Sequence, residues 1–175
     1  MTIGNTRLIG HAGPQIDIKA FLAGDLAENQ VPILVNNVGW TYGTGANAVN
    51  VIYAKTITLV QPNGGGETVT LDLYESGTLL DIFNRVLTMT ALKFLYIKNN
   101  SADATLLVFG GASADIPICA VNTDVVKIKP KGSAILWNYP SAAGLDITTN
   151  KNLKLEHDGT GESSMDVDVI AMGLD

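Results

Sequence analysis

From Val31 to the end of the chain, short runs of alternating apolar and polar residues return about every ten residues, each closed off by Gly, Pro, Asn or Asp. A strand places successive side chains on opposite faces, so a period of two gives a ribbon with one apolar face that a second ribbon must cover. Residues 31–38 are largely apolar and suit a buried strand. Residues 55–60 put Ile57 and Leu59 on one face against Thr56 and Thr58, and residues 68–73 group Val69, Leu71 and Leu73 opposite Thr70 and Asp72. Between these two runs lies Gln61-Pro62-Asn63-Gly64-Gly65-Gly66, a turn sequence that predicts a hairpin. Further strands are expected over 92–98, 104–109, 124–129, 134–139, 152–157 and 165–172.

One segment breaks the period. In residues 78–87, Leu79, Leu80, Ile82, Phe83, Val86 and Leu87 recur at helical spacing, and Thr78 with Asp81 resembles a capping box, so one short helix is expected. The pattern as a whole predicts an all-β protein, an antiparallel β-sandwich of jelly-roll type. A Rossmann fold or TIM barrel needs many more helices, and no internal repeat points to a propeller or solenoid. Residues 1–30 mix Gly, Pro and polar residues with short apolar pieces and no sustained period. They read as an extended N-terminal arm ahead of a single domain over 31–175. In that arm Ile16, Ile18, Phe21 and Leu22 are candidates for contact with a neighbouring subunit, the alternative being a loosely held terminus.

Charged residues make up 16% of the chain, against about a quarter in an average soluble protein. Such a surface either meets another protein or belongs to a Gly- and Thr-rich β domain. A net charge of -6 argues against nucleic acid, which needs clustered Lys and Arg. Lys127, Lys129 and Lys131 come close together, and at strand spacing they read as a solvated face. The lone Cys119, beside Ile118 and Ala120, reads as a small buried hydrophobe, and one cysteine allows neither an internal disulfide nor a thiolate metal cluster. No apolar run approaches a membrane span, and the first residues lack a signal-peptide pattern, so the chain is expected to be made and used without secretion.

Chemistry has few candidates. His11 and His157 are the two imidazoles, read as an arm and a loop residue, and no nucleophile elbow surrounds Gly111-Ala112-Ser113. Asp166 and Asp168 share one face of a strand and read as surface charges at an outward-facing strand edge. Gly43-Thr44-Gly45 lacks the Lys that completes a P-loop, and Gly64-Gly65-Gly66 leads into a strand. Residues 157–162 offer oxygen ligands without EF-hand spacing and read as a polar hairpin turn. No enzyme activity, cofactor or metal is expected. Trp40 and Tyr42, two apart and so expected to project from one side of a strand, are candidates for surface aromatic contact, with core packing as the alternative. Trp137 and Tyr139 repeat that spacing.

The run GTGANAVNVIYA at 43–54, ETVTLDL at 67–73, LLDIF at 79–83 and LKFLYIKNNS at 92–101 resemble a family of tailed-bacteriophage virion proteins. VVKIKPKG at 125–132, SAAGLDIT at 141–148 and VDVIAMG at 167–173 continue the pattern, so the resemblance covers about residues 40–173. It implies a small β domain on a phage head or tail, a capsid decoration protein made in the host cytoplasm and carried on the virion. Its expected partners are the major capsid protein and copies of itself, a trimer being the simplest closed ring. The alternative is a receptor- or carbohydrate-binding module of a tail or head fibre, with Trp40, Tyr42 or Trp137 as stacking platforms.

Overall fold

In the computed structural model the described residues are 7–10, 16–21, 29–33, 40–61, 67–110, 114–119, 124–138 and 141–175. The first three segments are strands β1 (Arg7–Gly10), β2 (Ile16–Phe21) and β3 (Asn29–Ile33), which pair antiparallel in the order β1-β2-β3 as a sheet of their own. The stretch expected to be an arm therefore contains β1, β2 and the start of β3, and β3 runs on into the first part of the strand expected at 31–38.

Two short strands follow, β4 (Thr41–Tyr42) and β5 (Ala48–Val49), paired parallel. The remaining strands are β6 (Val51–Val60), β7 (Thr68–Asp72), β8 (Ala91–Asn99), β9 (Leu106–Phe109), β10 (Val125–Ile128), β11 (Ser133–Asn138), β12 (Leu145–Asp146), β13 (Asn152–His157) and β14 (Ser164–Leu174). One sheet runs β11-β8-β14-β6, with β12 also paired to β8, and the other runs β10-β9-β13-β7. Numbered along the chain without the two-residue β12, these eight strands stand as 1-8-3-6 facing 2-7-4-5. Every pairing is antiparallel, and the connectivity is that of a jelly roll.

The alternation read from the sequence builds the core directly. Val51, Tyr53 and Leu59 of β6, Leu95 and Ile97 of β8, and Met165, Val167, Val169 and Ala171 of β14 turn inward from one sheet. They meet Leu71, Leu106, Val108, Ile128, Leu153 and Leu155 from the other. Burying such side chains stabilises by about 1.5–3 kcal/mol each before the entropy of ordering them is subtracted.

Three expectations are corrected. Residues 55–60 and 68–73 do not form a hairpin: β6 pairs with β14 and β7 with β13, so the two runs belong to different sheets. Residues 157–162 likewise join β13 to β14 across the sandwich instead of turning a hairpin. The helix over 78–87 is absent. Asp81 folds this segment back on itself, its carboxylate accepting from the Phe83 and Arg85 N–H groups, with Asn84 at a φ of 59°. Leu87 N–H then bonds the Leu79 carbonyl at 2.8 Å, and Leu80 bridges Val86. A side chain that supplies the turn's hydrogen bonds outcompetes the first helical turn, which must fix several residues for one bond.

Candidate functional site

The connectivity sends the loops to two ends of the sandwich, and the ends differ. At one end lie Gln61, Glu67 and the loops at 100–105, 129–132 and 158–163, tied together by polar groups. Asn99, fully buried, donates to the carbonyls of Ala104 and Ile128 and accepts from Ser101 N–H. Glu162 accepts from Ala102 N–H, Asp103 from Glu162 N–H, and Gln61 donates to the Gly159 carbonyl. The Lys131 ammonium bonds the Asn100 carbonyl. The hydrogen bonds from Ser101 and Ala102 hold the Glu162 carboxyl below its ordinary pKa. For Asp158, desolvation pushes upward but is outweighed by bonds from Thr160 and Thr105, and the carboxyl ends low.

His157 belongs to this end. It is the last residue of β13 and fully buried, not a loop histidine. Its Nδ1 accepts from Gly159 N–H at 3.0 Å, which leaves Nε2 to donate to the Glu162 carbonyl at 2.9 Å. With both ring nitrogens engaged, the imidazole serves as a loop staple. The oxygen-rich turn uses its carboxylates in the same way, Asp158 accepting from Thr160. Among the described residues no group of three or more His, Cys, Asp or Glu is placed to hold a metal ion.

The other end carries apolar and aromatic surface. Tyr42 is 44% and Val86 52% exposed. Between them Arg85 is held in place: its guanidinium forms an ion pair with buried Asp81 at 2.6 Å, donates to the Asn50 carbonyl at 2.8 Å and lies 5.2 Å from the Phe83 ring centre. Desolvation lowers the Arg85 pKa, and the bond to Asp81 and the neighbouring Tyr42 phenol more than offset it. The segment carrying Tyr42 is also where residues 1–39 join the sandwich.

Trp40 and Tyr42 do not share a surface. Trp40 is 4% exposed and packs edge-on to Phe94, ring centres 6.4 Å apart, within a second apolar cluster of Val49, Ile52, Ile170 and Met172. The predicted side-by-side pair fails because residues 40–49 fold as a loop over the sheet instead of continuing as one strand. Ile16, Ile18 and Phe21 lie on β2, while Leu22, His11, Tyr139, Gly64-Gly65-Gly66 and Gly111-Ala112-Ser113 fall outside the described residues. Trp137 packs against the core from β11. Asp166 and Asp168 do share the outer face of their sheet, though on a central strand and not an edge, and they accept from Thr58 and Thr56 hydroxyls across β6. Lys127, Lys129 and Lys131 are exposed, and Cys119 is half-buried, not buried.

Two further polar residues matter. Asn99 is one; Lys93 is the other, fully buried, its ammonium donating to the Gly45 and Ala48 carbonyls at 2.9 and 2.8 Å. Desolvation pushes its pKa down. The sequence pattern misleads here: LKFLYIK puts Lys93 in step with the inward Leu95 and Ile97, but the register slips beside it, between Met172 and Gly173, and its ammonium reaches Gly45 and Ala48 over the outer face.

Compared with protein-family models, curated proteins and solved structures, the chain has no match.

Proposed function

We propose that this chain is a non-enzymatic structural protein of a phage virion, a decoration protein that binds the major capsid shell as a homo-oligomer. The observation that carries the reading is the exposed end at Tyr42, Arg85 and Val86, beside the root of the N-terminal segment. Tyr and Arg are the residue types that dominate interface hot spots, and Arg85 is already ordered by Asp81 and Asn50, so little freedom is lost on docking. The opposite end is hydrogen-bonded and largely acidic, with Val60 its exposed large apolar residue among the described residues. Low charge, jelly-roll connectivity and the resemblance to virion proteins point the same way, the fold by analogy alone. Repeated over a shell lattice, modest contacts add up through multivalency.

A carbohydrate-binding role is the weaker reading, because burial of Trp40 leaves Tyr42 as the one exposed ring of the expected pair. Co-sedimentation with undecorated phage heads, together with light scattering, tests the proposal. The full chain is expected to be oligomeric and to pellet with heads, and Tyr42→Ala combined with Val86→Asp is expected to abolish pelleting without altering the circular dichroism spectrum. A monomer that ignores heads would overturn the proposal.

A further inference from the structure

The second apolar cluster lies on the outer face of the β11-β8-β14-β6 sheet, away from the sandwich core. Ile52, Phe94, Ile170 and Met172 project there from three adjacent strands, and residues 40–49 cover them through Trp40 and Val49. The covering loop holds its own shape. Thr41 N–H bonds the Asn47 carbonyl, Gly43 N–H that of Val49 and Ala48 N–H that of Gly45, and Asn47 sits at a φ of 54°. Two of its carbonyls, Gly45 and Ala48, receive the Lys93 ammonium from the sheet below.

We infer that residues 40–49 are a strap that opens as a unit from this face, with the Lys93 ammonium as its latch and residues 1–39 as the tethered load. Three observations support separate opening. The strap covers its own small cluster, so lifting it leaves the sandwich core closed. The closed state holds costly polar groups: Lys93 is desolvated, and Trp40 Nε1 is buried with no acceptor among the described residues. Its far root is fixed, Asn50 N–H bonding the Gly173 carbonyl at 3.0 Å and Arg85 holding the Asn50 carbonyl. Opening moves the attachment of the N-terminal segment from Trp40 to Asn50 and lengthens its tether by ten residues, up to about 33 Å of chain. The strap thus sets the reach of the N-terminal sheet.

Hydrogen exchange on the full-length protein tests this. In the wild type the amides of Thr41, Gly43 and Ala48 are expected to exchange through an opening that is nearly independent of denaturant, while those of Val167 and Val169 exchange by global unfolding. Lys93→Met is expected to speed exchange at the three strap amides by about tenfold or more and leave β14 unchanged. Asn47→Val disfavours the strap's left-handed residue without removing any core atom, and is expected to act in the same direction. The inference is overturned if the wild-type strap amides share the rates and denaturant dependence of β14, or if Asn47→Val leaves them unaffected. Should Lys93→Met fail to fold, the wild-type and Asn47→Val measurements still decide it.

Discussion

Asn99 ends β8 with its amide turned into the sandwich, where it bonds the loop after its own strand and the last carbonyl of β10 in the facing sheet. One amide thereby joins the two sheets at the polar end. Replacing it by Ala strands two buried carbonyls and one N–H, and unfolding in urea at pH 7 is expected to show a loss of about 2–4 kcal/mol. Asn99→Asp is expected to lose at least as much, because a carboxylate would face the Ala104 and Ile128 carbonyls. The sign with pH follows: burial raises the folded-state pKa of such a carboxyl, so stability is recovered in acid and lost as pH rises. An Asp variant whose deficit does not shrink between about pH 7 and pH 4 would contradict this account. The sequence offered no such detail at Asn99, because a polar residue that ends an apolar run reads as a strand end. Only its neighbours in space, the loop at 101–104 and the end of β10, reveal the role.

Elements were more legible than their pairings. The alternation in residues 55–60, 152–157 and 165–172 depends on local burial, so strands β6, β13 and β14 could be read within a few residues. Which strand lies beside which depends on contacts between distant parts of the chain, and any apolar ribbon face accepts another. The turn at 61–66 therefore suggested a hairpin, while the partner of β6 lies at Ser164–Gly173. Leu79 and Leu87 likewise looked helical at their spacing but meet across a turn set by Asp81. Edge strand β6 carries Lys55 in step with inward-facing Ile57 and Leu59, a charge that discourages strand-to-strand growth along this edge. At the centre of the sheet, the β14 register slips between Met172 and Gly173. A Cβ at Gly173 would overlap the Ala91 carbonyl and crowd Met89. Gly173→Ala is expected to cost about 1–3 kcal/mol through overpacking. Thermal melting measures it, and an unchanged midpoint would show that this crossing yields more readily than the backbone geometry implies.

At the scale of the whole molecule, β1, β2 and β3 pair with one another as a sheet of their own, and β1 lies against β4. The stability of the sandwich and the work of the N-terminal segment are therefore separable. Removing residues 1–39 takes away a sheet whose strands pair with one another, so the shortened chain is expected to keep its strand-rich circular dichroism. Its melting midpoint should move by no more than a few degrees, about what 1 kcal/mol produces in a protein of this size. Its association should change far more. Ile16, Ile18 and Phe21 lie on β2, and if these residues pack on a neighbour, burial at about 25 cal/mol per Å² makes them enough to decide the oligomer. Light scattering of the full and shortened chains at equal concentration separates the two roles: the oligomer is expected to become a folded monomer that, with multivalency lost, pellets more weakly with phage heads. If the shortened chain instead unfolds, the N-terminal sheet is part of the fold's foundation. If it stays oligomeric and pellets as well as the full chain, the contact between subunits lies in the sandwich and not in β2.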